Sequence, residues 1–306
     1  MATEDLSPRY LELDAWSGTD ILKALYEGQL AAVAAVGPAL PALNRAAEAA
    51  LAGLKRGGRL VYVGAGTSGR IGVQDGAELP PTFDWPDDKL VFAMAGGTGA
   101  LLQAVENAED SAEDGAAQMV GAGVGPDDVV IGVAASGTTP FTIAAIRTAR
   151  ERGAVTIGVA NNPGAPLLSA SAYPILVETG EEVVAGSTRM KAGTAQKIVL
   201  NLLSTLIMIR LGRVYRGMMV HMRATNAKLR RRSEIMVSRL TGCDESAAAE
   251  ALSKADGDLK LAALIVTGVD RREAAEILNR SGGNLREAFA DLAKQASAAR
   301  GNLARG

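Results

Sequence analysis

The stretch Leu60-Val-Tyr-Val-Gly-Ala-Gly-Thr-Ser-Gly-Arg70 is a short apolar run followed at once by a glycine-rich turn. Similar apolar runs recur at 90–93, 129–133, 155–159 and 173–177, and helical stretches separate most of them. Continuous apolar strands that alternate with helices are typical of a parallel sheet covered on both faces. The sequence therefore predicts an α/β fold with a five-stranded parallel sheet. Ligands of such sheets bind at the carboxyl ends of the strands.

Changes of pattern along the chain predict four segments. Residues 1–59 are predicted to form an N-terminal helical segment that packs on the core, and residues 60–239 the sheet domain. Residues 240–295 contain an internal repeat at a shift of 26 positions, with Ala248 matching Ala274, and are predicted to form a small all-helical module. This module resembles ubiquitin-associated helical bundles. The tail, 296–306, is predicted to be frayed.

Composition excludes several classes of function. The chain has 306 residues, 48% of them hydrophobic, and a net charge of −2, so it lacks the basic field expected of a partner for nucleic acid or an anionic membrane. Its one cysteine, Cys243, and one histidine, His221, exclude an internal disulfide, a thiolate metal cluster and a histidine-rich metal site. The N-terminus lacks the pattern of a secretory signal, and polar residues interrupt the longest apolar stretch, 198–209. We therefore expect a cytoplasmic protein.

The turn after the first strand, loop one (residues 64–70), matches the G-x-G-x-x-G pattern of dinucleotide-binding proteins. The acidic residue that should follow the second strand is missing, since that strand ends in Ala93-Met-Ala-Gly-Gly97. Hydroxyl groups beside glycines at a helix N-terminus suit a terminal phosphate monoester instead. The expected phosphate-binding residues here are Gly66, Thr67 and Ser68.

A second loop of the same kind follows the third strand. Loop three (residues 135–140) carries the hydroxyl groups of Ser136, Thr138 and Thr139 around Gly137, directly before a helix. One such loop would more often be a structural helix cap. Two of them at the same end of one sheet favour a phosphosugar site.

The two loops together resemble the sugar isomerase (SIS) domain family, which has a three-layer α/β/α architecture. A narrower resemblance, to the N-acetylmuramic acid 6-phosphate etherase family, extends over residues 3–295. It rests on the sequence blocks 75–82, 108–110, 186–197, 211–215 and 224–229. The departures from the family pattern are Ser7, Ala77, Leu79 and His221.

This resemblance implies a lyase that removes D-lactate from N-acetylmuramic acid 6-phosphate by elimination and hydration, with no metal or redox cofactor. By residue match, Glu78 is the proton donor to the leaving lactate and Glu109 is the base at C2. Read from the residues alone, Glu78 near Pro80-Pro81 is a capping or surface carboxylate or lies near the ligand edge, and Glu109 is a solvated helix-face carboxylate. Lys191 is either a cation for the lactyl carboxylate or phosphate, or part of a helix-start salt bridge.

A homodimer is also expected, from the near-continuous apolar helix predicted at 193–210 and from the resemblance. Two alternative functions stay open. One is a non-catalytic sugar-phosphate-binding regulator related to glucokinase regulatory protein, although that regulator has two tandem sugar domains. The other is a phosphosugar isomerase or a SIS-type transcription regulator; the latter would need a DNA-binding helix-turn-helix that residues 1–59 do not offer.

Overall fold

The computed structural model describes residues 2–221 and 227–303. The block 224–229 therefore lies partly outside the described residues, as does the end of the predicted tail. The helices are α1 (Gly18–Ala35), α2 (Leu40–Lys55), α3 (Gly66–Ala77), α4 (Leu79–Phe83), α5 (Ala112–Gly121), α6 (Pro140–Glu151), α7 (Pro166–Ala170), α8 (Lys191–Arg210), α9 (Ala227–Thr241), α10 (Glu245–Lys254), α11 (Leu259–Ile265), α12 (Arg271–Arg280) and α13 (Leu285–Leu303). The strands are β1 (Leu60–Gly64), β2 (Leu90–Met94), β3 (Val129–Ala134), β4 (Val155–Ala160), β5 (Tyr173–Leu176), β6 (Val214–Tyr215) and β7 (Met218–Met219).

The main sheet has five parallel strands in the order β2-β1-β3-β4-β5, which confirms the predicted fold class. The central strands β1 and β3 are buried along their whole length, because helices cover both faces. Leu60 of β1 pairs with Leu90 of β2 on one side and with Val129 of β3 on the other. Loops one and three therefore emerge side by side from the middle of the sheet.

The described chain forms two compact units. Unit 1 comprises Met1–Glu78 and Pro86–Ile207 and contains the five-stranded sheet. Unit 2 comprises Leu79–Trp85 and Met208–Gly306, and its described residues contain helices and the β6–β7 hairpin. The predicted division into four segments, with boundaries after 59, 239 and 295, stays a prediction beside these two units.

The internal repeat of unit 2 corresponds to repeated structure. Asp244 caps α10 and Asp270, 26 positions later, caps α12, each by accepting a hydrogen bond from the N–H group three residues on. Asp258 caps α11 in the same way, and the side chain of Asn284 accepts from the first turn of α13. The apolar faces of all four helices and of α9 share one buried cluster. Neither half of the repeat buries its apolar face alone.

Two helical stretches, Gly18–Lys55 and Lys191–Arg210, have the length and mean hydropathy of a membrane span. The interruptions at Asn201 and Ser204 do not lower the hydropathy of α8 below that of a span. More than half of the α8 span is buried inside the protein, as in the core helix of a soluble protein. The apolar side chains Val199 and Leu203, for example, are fully buried.

Candidate active site

Loop one forms the start of α3 directly at the carboxyl end of β1. Gly64 and Gly69 allow this close approach, because a Cβ atom on Gly64 would lie only 2.8 Å from the backbone nitrogen of Gly69. The N–H groups of Gly66, Thr67 and Ser68 occupy the first helical turn, where they have no acceptor within the helix. Ser68 is buried in this first turn of α3. This arrangement suits a bound anion.

Loop three is held by its own hydroxyl groups and by the chain after β4. The Oγ atom of Ser136 accepts hydrogen bonds from the backbone N–H and the hydroxyl of Thr138, at 3.2 and 3.0 Å. Gly137 has φ +69°, and a Cβ atom there would lie 2.4 Å from the Cβ of Ala165. The carbonyl oxygen of Gly137 accepts from Leu167 at 3.0 Å. The Ser136 proton thus remains to be donated outward, whereas the Thr138 proton is directed to Ser136.

Glu109 lies at the same edge of the sheet. It belongs to a 3-10 turn, Ala108–Asp110, which follows Asn107 in the left-handed conformation at φ 60°. Directly after that turn, α5 runs so close to the start of α6 that a Cβ on Gly115 would lie 2.1 Å from the carbonyl oxygen of Phe141. Phe141 is the second residue of the helix that loop three introduces. The exposed Glu109 side chain is therefore on the loop-three side of the sheet edge.

Glu78 lies elsewhere. It is the exposed C-terminal cap of α3, whose twelve residues span about 18 Å. The helix runs back along the sheet, since Gly69 contacts the end of β1 whereas Gly76 faces Phe92 in the middle of β2. Of the two positions that the sequence left open, a capping or surface carboxylate and a place near the ligand edge, the structure has the first, because α3 carries Glu78 away from that edge.

The block 186–197 does approach loop one. Gly193, in the first turn of α8, lies where a Cβ atom would be 3.5 Å from the Cγ2 of Thr67. The buried carboxylate of Glu182 caps α8 by accepting from the N–H groups of Lys191 and Ala192, at 2.8 and 2.9 Å. The ammonium of Lys191 donates to the carbonyl oxygen of Glu181 at 2.6 Å. Lys191 thus has a local backbone partner, and its contact with a substrate stays a prediction.

Asp75 is a buried carboxylate that begins the sequence block 75–82. It accepts hydrogen bonds from Tyr62 at 2.9 Å, Asn201 at 2.6 Å and Ser204 at 3.2 Å. Desolvation is the main reason that the pKa of Asp75 is raised. Desolvation, followed by the Asp75 charge, also raises the pKa of the buried Tyr62 well above its usual value. Asp75 connects α3 with α8, one helical turn before Glu78.

The segment after Glu78 belongs to unit 2. Arg213 donates to the carbonyl oxygens of Phe83 and Asp84, at 2.6 and 2.7 Å, and lies over the ring of Trp85, 4.9 Å from its centroid. Desolvation lowers the pKa of Arg213. His221, one of the departures from the family pattern, has its Nδ1 atom 3.9 Å from a carboxylate oxygen of Asp84.

Three further polar residues at the ligand edge were missed. Asn161 and Asn162 directly follow β4 and are 1% and 3% exposed. The amide of Gln196 donates to the side-chain oxygen of Asn161 at 3.0 Å, while its own Oε1 atom has no partner among the described residues. Two polar residues directly after an apolar strand were the signal that could have identified the asparagines. Within the described ranges, no group of three His, Cys, Asp or Glu side chains is arranged to hold a metal ion.

Two family models of the SIS domain match the part of the chain that contains the five-stranded sheet. Residues 42–150 match the glucokinase regulatory protein N-terminal SIS domain, and residues 100–206 match the SIS domain. A phosphoheptose isomerase structure from Francisella tularensis aligns with a TM-score of 0.47 and 18% identity, covering 63% of this chain and 98% of that chain.

Curated relatives match over most of the chain. An N-acetylmuramic acid 6-phosphate etherase of Deinococcus radiodurans is 52% identical over 264 residues, which cover 86% of this chain and 87% of the relative. The etherase of Rubrobacter xylanophilus is 46% identical, with coverage of 86% and 87%. At this identity and coverage, the chain belongs to the N-acetylmuramic acid 6-phosphate etherase family.

Proposed function

We propose that this protein is a carbon–oxygen lyase that cleaves the D-lactyl ether of N-acetylmuramic acid 6-phosphate. Water is the second substrate, and N-acetylglucosamine 6-phosphate and D-lactate are the products. The observation that carries this proposal is the 52% identity to an etherase over 86% of the chain. The two hydroxyl-bearing loops at one sheet edge support it, because a phosphosugar needs several donors for its phosphate oxygens. We place the reaction in the cytoplasm, in the recycling of cell-wall amino sugars.

In this proposal the 6-phosphate binds at loops one and three. The first-turn N–H groups of α3 and the hydroxyls of Thr67 and Ser68 donate from one side. Ser136, with Thr138 and Thr139, donates from the other. Gly66 and Gly137 both have positive φ, which glycine adopts without strain. The backbone of Gly66 stays accessible, whereas Gly137 packs closely where a side chain would interfere.

The chemistry is an elimination followed by a hydration. Ring opening gives an aldehyde at C1, which makes the C2 proton acidic. Glu109 as carboxylate takes that proton, the C2–H electrons form the C2–C3 double bond, and the C3–O bond breaks. Glu78 as carboxylic acid protonates the departing oxygen, so that D-lactate leaves. Water then adds its hydroxyl to C3 and a proton returns to C2, which needs two carboxyl groups in opposite protonation states.

The distance between Glu78 and the loops favours a site shared between two copies of the chain. About 15 Å of helix separates Glu78 from Ser68 in loop one of its own chain, which is longer than a hexose phosphate. A homodimer in which Glu78 acts on a substrate bound by the partner removes this difficulty.

The surface of α1 supports such a dimer better than α8 does, although the dimer was expected from the apolar stretch 193–210 within α8. Most apolar side chains of α8 pack inward, whereas α1 exposes Leu22, Tyr26, Leu30 and Val33, each more than half accessible, along one face. Such an apolar stripe on a soluble protein is typical of an interface. Light scattering at micromolar concentration should give twice the 31.5 kDa chain mass, and Tyr26→Glu with Leu30→Glu should halve it. A monomeric wild type would contradict the dimer.

Two variants test the glutamate roles. In deuterium oxide, Glu78→Gln should release no lactate yet still exchange the C2 hydrogen, whereas Glu109→Gln should lose both reactions, each by about 10²–10⁴-fold. Proton NMR of the substrate follows both events. Glu106→Gln, an exposed neighbour, is the matched control and should keep wild-type rates. Exchange that persists only in Glu109→Gln would reverse the roles.

Mixing the two inactive variants tests the shared site. If Glu78 acts on the partner's loops and Glu109 on its own, one site of each mixed dimer is intact. Random mixing should then restore about a quarter of wild-type activity. If both glutamates act within one chain, mixing should restore none.

The alternative of a binding regulator derives its support from the match of residues 42–150 to the glucokinase regulatory protein domain. A lactate-release assay with N-acetylmuramic acid 6-phosphate separates the two functions. A protein that binds this phosphosugar without releasing lactate would favour the regulator.

A further inference from the structure

A buried pair of side chains connects the N-terminal turn Ala2–Glu4 to the ligand edge of the sheet. Thr3 is fully buried, and Asn162, directly after β4, is 3% exposed. The amide nitrogen of Asn162 donates to the Thr3 hydroxyl oxygen at 2.8 Å, and its side-chain oxygen accepts from the Thr3 backbone N–H at 3.3 Å. The two residues therefore pair in both directions.

The same amide also holds loop three. The second N–H of Asn162 donates to the carbonyl oxygen of Ala135 at 3.1 Å, and the backbone N–H of Asn161 donates to that oxygen at 3.0 Å. Ala135 immediately precedes Ser136. The peptide plane that sets the direction of Ser136 is thus fixed by an amide whose other proton is taken by Thr3.

We infer that Thr3 is a positioning residue for loop three and acts through Asn162. Thr3 is fully buried, so its role cannot be a direct contact with substrate. Its hydroxyl oxygen completes the hydrogen bonding of the Asn162 amide and keeps that amide turned toward Ala135. Without this acceptor, a buried N–H group would lack a partner, which favours rotation of the amide away from the loop. This inference rests on the proposed phosphate site at loop three.

The test is Thr3→Val, which keeps the shape and the backbone N–H but removes the hydroxyl. Loss of one neutral hydrogen bond should raise KM for N-acetylmuramic acid 6-phosphate about fivefold, with kcat within about twofold, because the bound phosphate is affected and the two glutamates are not. Thr3→Ser keeps a hydroxyl and should restore KM. Calorimetric titration with N-acetylglucosamine 6-phosphate should show the same fivefold change in Kd.

Thr142→Val is the matched control. Thr142 is also fully buried, but its hydroxyl has no hydrogen-bond partner among the described residues, so KM and Kd should stay at wild-type values and thermal stability should not fall. An unchanged KM and Kd in Thr3→Val would overturn the positioning role. A Thr3→Ser variant with the same raised KM as Thr3→Val would overturn it as well. So would a lower Tm accompanied by equal changes of kcat and KM in Thr3→Val and Thr142→Val.

The titration separates this inference from the proposed function. If the wild type releases no lactate but binds N-acetylglucosamine 6-phosphate, the lyase activity fails while the effect of Thr3→Val on Kd still decides the positioning role. If the wild type binds neither phosphosugar, loop three is not a phosphate site and the inference is overturned with it.

Discussion

Lys260 should make unit 2 more stable as the pH rises from 7 to 10. This side chain is 3% exposed, and its ammonium donates to the carbonyl oxygen of Gly283 at 2.5 Å, which links the two halves of the repeat. Desolvation, followed by the nearby charge of Arg213, lowers the pKa of Lys260 from 10.5 to about 8. The folded state therefore holds this proton less tightly than the unfolded state does. Folding therefore favours the neutral form of Lys260. The contribution of this group to stability is fully present above pH 10.5 and is lost as pH falls through 8.

The size of the effect follows from the two pKa values. Between 10.5 and about 8, the full difference corresponds to about 3 kcal/mol, of which about 2.5 kcal/mol is gained between pH 7 and pH 10. Lys260→Met removes the buried charge but leaves the Gly283 carbonyl without its donor, at a cost of about 1–3 kcal/mol. The variant should therefore be close to wild type in stability at pH 7. Between pH 7 and pH 10 the wild type should gain about 2.5 kcal/mol of stability relative to the variant.

Trp85 provides a direct assay, because it is buried in unit 2 and the chain has only two tryptophans. In a Trp16→Phe background, its fluorescence during urea unfolding reports this unit alone. Lys260→Met is compared with Lys294→Met, an exposed lysine of α13, at pH 7 and pH 10. Carbon-13 NMR of the lysine side chains gives the pKa independently. A Lys260 pKa of 10 or above, or an equal effect of Lys260→Met at both pH values, would refute the reasoning.

Three further changes have defined outcomes. Ser136→Ala should raise KM about tenfold with kcat retained, since a hydrogen bond to a charged phosphate is lost, and unchanged initial-rate kinetics would exclude Ser136 from the site. Gly137→Ala forces a side chain at φ +69° against Ala165 and should lower stability by about 1–3 kcal/mol; an unchanged Tm would contradict the observed packing. The raised pKa of Asp75 means that its contribution to stability is fully present below pH 3.8 and is lost as pH rises through the folded value. Asp75→Asn should therefore gain in stability relative to wild type between pH 4.5 and pH 7, and urea unfolding that shows no such trend would contradict the desolvation of this carboxyl.

The sheet and its two loops were predictable because their signals are local. Five apolar runs bounded by turn residues correspond to β1–β5, and loops one and three follow β1 and β3 as expected. The repeated Asp caps of unit 2 also lie in a pattern that a single sequence displays, with Asp244 and Asp270 separated by one repeat.

The sequence left open whether Glu78 caps a helix or lies near the ligand edge, because the number of residues from loop one does not give the direction of the helix between them. The buried polar pairs were missed for a different reason. Asp75 and Asn201 are separated by 126 positions, and nothing in the local sequence of either distinguishes a buried hydrogen-bonded group from a solvated one. Only the packing of α3 against α8 decides that they meet.

The pair formed by Thr3 and Asn162 has a consequence for how the protein is made. Its two members are 159 positions apart, so at about 5–20 residues per second the ribosome needs about 8–30 s to produce the second after the first. Until Asn162 is made, the N-terminal turn has no partner for its buried threonine. Until then, the carbonyl oxygen of Ala135 before loop three also lacks the two asparagine donors. Non-local pairs of this kind form late in folding, because the closure entropy of the intervening chain opposes them. The edge at which we propose that phosphate binds is therefore completed only after β4 has left the ribosome and joined the sheet.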